Sequence, residues 1–73
     1  MCLAVPAQVL SVDGSKAQVD IQGNRREVDV TLVNVQPGDW VLIHAGIAIQ
    51  VLDKEQAEAT VAAYRELREA LGI

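Results

Sequence analysis

Apolar and polar side chains alternate along the first two-thirds of the chain, and the alternation falls into short runs. Val9-Leu10-Ser11-Val12 leads into Asp13-Gly14, a dipeptide suited to the positive φ angles of a tight hairpin turn. Ala17, Val19 and Ile21 then alternate with Lys16, Gln18 and Asp20, the period of a strand with one wet face. Gln22-Gly23-Asn24 supplies a second turn. After it Val28, Val30 and Leu32 alternate with Glu27, Asp29 and Thr31, which predicts a third strand and a three-stranded meander.

Residues 34–39 contain Pro37-Gly38, a turn signal. Trp40-Val41-Leu42-Ile43 follows as a nearly continuous apolar run, the pattern of a strand covered on both faces or closing a barrel. Gly46 interrupts it as a turn or a bulge, and residues 47–52 form the fifth strand candidate. Five short strands in about 50 residues predict a small barrel, closed or partly open, because closure removes exposed edges.

From Asp53 onward the period becomes helical. Asp53 is a suitable N-cap, and Gln56 three positions later completes the signal of a capping box. Ala57, Val61, Tyr64 and Leu71 recur at helical spacing with Leu67 beside them, and this stripe is expected to pack on the barrel or to dock a partner. Glu55 and Glu58 stand near the start and Arg65 and Arg68 near the end, the order that the helix dipole favours. Gly72 is the expected stop. The chain thus reads as one domain over residues 1–73, mainly β, with a barrel over 1–52 and one C-terminal α-helix over 53–72.

Composition narrows the function. In 73 residues there are 23 Val, Ile and Leu but only two aromatics, Trp40 and Tyr64, so the core is aliphatic and small. The net charge of −4 is shared evenly, with three basic and five acidic side chains in each of residues 1–52 and 53–73. Without a basic patch, the phosphate-neutralising attraction of a nucleic-acid binder is missing, and sparse aromatics remove the platform for base stacking. One cysteine makes no internal disulfide, the start of the chain lacks a signal-peptide pattern, and no apolar run reaches the ~20 residues of a membrane helix. The expectation is a cytoplasmic protein without nucleic-acid or membrane partners.

Two side chains stand out for chemistry. Removal of Met1, expected when a small residue follows, leaves the thiol of Cys2 beside a free α-amino group. A nearby ammonium favours the thiolate, which attacks electrophiles and binds soft metals. The plainer reading makes Cys2 a small hydrophobe packed beneath the barrel. His44 closes the apolar run and by alternation shares a face with Trp40 and Leu42, opposite Val41 and Ile43. Its imidazole is either a metal ligand or a strand-end ring with one hydrogen bond. Thiolate plus imidazole cannot close a tetrahedral structural site, so a shared metal would sit in an open site, as in a carrier. A thiol enzyme with Cys2 as nucleophile and His44 as base lacks a recognisable third, orienting residue. An adaptor that touches no metal is the remaining alternative.

Met1-Cys2-Leu3-Ala4-Val5-Pro6, Asp29-Val30-Thr31-Leu32-Val33 and the segment from Pro37-Gly38-Asp39-Trp40 through Val41-Leu42-Ile43-His44-Ala45-Gly46-Ile47-Ala48 together resemble the HypC/HupF family of hydrogenase maturation chaperones. Ile47 departs from the pattern, standing where many members carry an aromatic residue. The resemblance implies a small OB-like barrel with a C-terminal helix and no enzymatic activity. It also implies two partners, the maturation protein HypD and the precursor of the hydrogenase large subunit. The cargo it implies is a transient iron fragment with cyanide and carbon monoxide ligands, with no permanently bound cofactor. Carried onto this chain, the family's cysteine is Cys2 and its strand histidine is His44, with Cys2, Leu3, Ala4, Val5 and Pro6 as the segment expected to meet partners.

Overall fold

A computed structural model describes residues 4–72. Its elements are β1 (Val5–Asp13), β2 (Lys16–Ile21), β3 (Asn24–Asp29), β4 (Trp40–His44), β5 (Ile47–Leu52) and α1 (Lys54–Leu71). The strands close into a barrel in the order β1-β2-β3-β5-β4, the OB-like arrangement, with only the β3–β5 contact parallel.

Hairpin chemistry sets the register. Asp13 pairs with Lys16, so the first turn is Gly14-Ser15, one residue later than the Asp13-Gly14 of the sequence pattern. Ile21 pairs with Asn24 across Gln22-Gly23, and His44 pairs with Ile47 across Ala45-Gly46. Both of these loops have positive φ at both positions, at 51° and 92° and at 53° and 80°, the mirror-image turn that matches strand twist. Asn24 therefore opens β3 instead of closing the turn. Pro37-Gly38 makes the expected turn: the Asp39 N–H donates to the Gln36 carbonyl at 3.1 Å, with Gly38 at φ 96°.

β1 starts earlier than its alternation suggests, because Ala7 faces the core with a side chain too small to mark the pattern. Its first half pairs with β4 and its second half with β2, and a bulge between Val9 and Ser11 bends it from one sheet direction to the other. The core this encloses is almost wholly valine and alanine, built on Val9, Val19, Val28 and Val41 with Ile43, Ala7, Ala17 and Ala48.

The third strand ends sooner than the Val28, Val30, Leu32 alternation predicts. Val30 is buried, but Leu32 is 69% exposed. Asp29 is the reason: its carboxylate accepts the Thr31 N–H at 2.7 Å, which turns the chain before Leu32 can continue the strand.

α1 begins with the expected capping box. Asp53 Oδ1 accepts the Gln56 N–H at 2.7 Å, and Gln56 Oε1 accepts the Asp53 N–H at 3.1 Å. Gly72 ends the helix in the left-handed conformation, its N–H donating to the carbonyls of Arg68 and Glu69. The helix lies on the outside of β1, β4 and β5. Ala57 is buried there, Val61, Tyr64 and Leu67 are half-buried, and Leu71 at the end of the predicted stripe is exposed. Leu52 and its cross-strand partner Trp40 face this helix side rather than the barrel interior, since the neighbouring pair Val41 and Val51 points inward.

Candidate functional site

The chemistry-bearing end of the barrel is built around the β4–β5 hairpin. Alternation along β4 sends Val41 and Ile43 into the core and leaves Trp40, Leu42 and His44 half-buried on the outer face, as the sequence pattern requires. His44 is the last residue of β4, with Ile47 directly beside it across the turn.

That turn is clamped to the rest of the barrel. The Asp29 N–H donates to the Gly46 carbonyl at 3.0 Å, and the Val30 N–H donates to the Ser15 carbonyl at 2.8 Å. The Asp29 carboxylate also lies 3.6 Å from the Lys16 ammonium. Hydrogen bonds from the Thr31 side chain and backbone, with the nearby Lys16 charge, hold the Asp29 carboxyl below the ordinary carboxylate range. Asp29 thus joins the end of β3, the β1–β2 hairpin and the His44 turn. Sequence reasoning assigned it no role; the available signal was an Asp followed two residues later by a Thr, the pattern of a side-chain turn.

The amino-terminal segment meets the same end. Val5 pairs with Ile43, one residue from His44, so β1 begins where β4 finishes. Of the residues expected to meet partners, Ala4 and Val5 are half-buried. Pro6 is less than 2% exposed, so it shapes the start of the strand and offers no side-chain surface of its own. It pairs with Leu42 in the part of β1 that has β4 as its only strand neighbour, where a missing N–H is tolerated. Cys2 and Leu3 lie outside the described residues.

Among the described residues no three His, Cys, Asp or Glu side chains gather closely enough to hold a metal ion. His44 is the one imidazole in the chain. Away from it, a shallow groove of about 410 Å³ runs between Trp40 and the helix, lined by Lys54, Ala57, Glu58, Val61, Ala62 and Arg65. Four residue steps of extended strand lead from Trp40 to His44, about 13 Å, so the groove and the histidine are distinct places.

The fold defines the class: a small OB-like β-barrel protein with one C-terminal helix and its histidine on the hairpin that meets the start of β1. Within that class the chain belongs to the HupF/HypC family, which it matches over residues 1–64. It is 42% identical to the hydrogenase maturation factor HypC of Escherichia coli (strain K12), over 92% of this chain and 82% of that protein. It is 39% identical to the hydrogenase maturation factor HybG of the same strain, over 92% of each. With HypC of Helicobacter hepaticus (strain ATCC 51449 / 3B1) the identity is 36%, over 97% of this chain and 86% of the other. All three are named as maturation factors rather than enzymes, in line with the non-enzymatic reading of the sequence. No helix among the described residues is long and apolar enough to cross a membrane.

Proposed function

We propose that this protein is a cytoplasmic hydrogenase maturation chaperone that receives an iron fragment bearing two cyanides and one carbon monoxide from HypD and delivers it to the precursor of the hydrogenase large subunit. The observation that carries this reading is the match to named hydrogenase maturation factors along most of the chain. The register of β1 on β4 supports the pairing of roles, because the chain leading from Cys2 joins the barrel one residue from His44.

In this reading the Cys2 thiolate donates an electron pair to iron, forming one coordinate bond on loading that breaks on delivery without change in oxidation state. A single thiolate is enough to hold a fragment that brings most of its own ligands, and few enough to let it go. His44 supports the thiolate through a hydrogen bond or adds a second, weaker ligand. The segment Cys2, Leu3, Ala4 and Val5 meets the partners, with Pro6 shaping the strand behind it.

The test is co-purification with HypD, followed by measurement of bound iron and of infrared bands in the cyanide and carbonyl region. Wild type is expected to carry both and Cys2→Ala neither. Equal iron and equal bands in the two proteins would overturn the role of Cys2 and leave an adaptor that touches no metal.

A further inference from the structure

Two neighbouring amides at the end of β3 hold two hairpin turns that are far apart in the chain. The Asp29 N–H reaches the Gly46 carbonyl in the β4–β5 turn at 3.0 Å, and the Val30 N–H reaches the Ser15 carbonyl in the β1–β2 turn at 2.8 Å. Residues 29 and 30 thus form a bar between the two turns. The bar lies beside the histidine, since Asp29 pairs with Ile47 and Ile47 pairs with His44. Among the described residues Asp29–Ile47 is also the one pair that joins β3 to β5, so the barrel closes through this residue.

A side chain keeps the bar in place. The Asp29 carboxylate accepts the Thr31 N–H at 2.7 Å, a turn made within two residues that stops β3 and leaves Asp29 at its end. Its second contact, 3.6 Å to the Lys16 ammonium, is a surface ion pair between side chains 33% and 52% exposed, and such pairs contribute little. Turn and charge are separable, because an asparagine side-chain oxygen accepts the same N–H without the charge. The hairpin they hold needs an outside hold. Ala45 sits at φ 53°, a left-handed conformation that alanine adopts only at a cost, so the backbone preference of the turn does not secure it.

We propose that Asp29 is a positioning residue for His44: the turn made by its side chain, rather than its charge, sets where the β4–β5 hairpin presents the imidazole to the cargo. Asp29 acts on the ring only through the Gly46 carbonyl and the paired Ile47. Loss of the turn frees the tip of the hairpin to open locally while the valine core stays closed. An imidazole that samples several positions spends part of its time out of reach of a metal held by another side chain, and apparent affinity falls by that fraction. The inference deepens the proposed function and rests on it for the role of the imidazole, not for the position of the hairpin.

Amide hydrogen exchange of the free protein and iron retained after co-purification with HypD are measured for wild type, Asp29→Ala, Asp29→Asn and Lys16→Met. In Asp29→Ala the amide of residue 29 is expected to lose about tenfold in protection relative to that of Val41 in the core. The same variant retains about threefold less iron. Asp29→Asn and Lys16→Met keep wild-type protection at residue 29 and wild-type iron. In a His44→Ala background, Asp29→Ala lowers the iron no further, because it acts through the imidazole. Asp53→Ala, destabilised at the helix cap, retains wild-type iron, which separates positioning from stability. Where Asp29→Ala does not fold, Asp29→Ser makes the same turn more weakly and replaces it, with smaller changes in the same direction. Wild-type iron in the Ala or Ser variant, an equal loss in Asp29→Asn, or a further loss in the His44→Ala background overturns the proposal. Iron that does not depend on Cys2, with protection lost in Asp29→Ala and kept in Asp29→Asn, removes the functional reading and keeps the hold of Asp29 on the hairpin. Cys2-dependent iron that is equal in all position-29 variants does the reverse.

Discussion

Val5 of β1 lies directly opposite Ile43 of β4, one residue short of His44. The pairing puts the start of β1 and the histidine at one end of the barrel, although Pro6 and His44 are 38 positions apart in the sequence. The Asp29–Gly46 hydrogen bond then holds the hairpin that carries the histidine. Position at this end is therefore a property of barrel closure, and changes remote from His44 are expected to act on it through the clamp.

His44→Ala tests the imidazole itself. The ring is half-buried on the outer face and outside the valine core, so the variant is expected to keep its circular dichroism spectrum. Iron retained after co-purification with HypD should fall about tenfold, as for other supporting groups around a metal. Retention equal to wild type would take His44 out of the site.

Asp29→Asn tests the clamp and gives it a pH signature. The native carboxyl titrates lower than it does in the unfolded chain, so its stabilising contribution is present above the unfolded value of about 3.9 and is lost as pH falls through the lower, folded value. Urea midpoints are expected to differ between wild type and variant at pH 7. The gap should shrink progressively below pH ~4. A gap that does not change with pH would show that the charge of Asp29 contributes nothing.

Ala45 has φ 53° in a turn that favours glycine or asparagine. Ala45→Asn should relieve the strain of a left-handed alanine and raise stability by about 0.5–1 kcal/mol, read from the urea midpoint at constant m-value. A lower midpoint would mean that this turn is held by something other than its own backbone preference.

Asp53→Ala removes the side chain that caps α1. The expected cost is about 1 kcal/mol, with a loss of helical signal, because the Gln56 N–H then depends on water. Asp53→Asn should recover most of it, and equal stability of all three proteins would leave the cap without effect.

Much of the architecture was legible because it is locally determined. The alternation of Ala17, Val19 and Ile21, the Pro37-Gly38 turn, the exact span of β5 and the capped helix all follow from preferences acting over a few residues. The errors share a cause of the opposite kind. Leu32 continues a strand pattern that the Asp29 side chain cuts short, and the stripe on α1 reaches Leu71 past the barrel surface that could bury it. Pro6 is enclosed although it stands near the start of its strand, because burial depends on which elements close over a residue.

The candidate site divides in the same way. That a cysteine and a histidine were the residues to watch came from side-chain chemistry and from the motif around them, both readable in one dimension. That β1 starts beside His44 and that Asp29 secures the His44 turn were decided only by closure of the barrel. Strand periodicity specifies which face of a strand is apolar, whereas pairing partners depend on contacts between residues far apart in the chain.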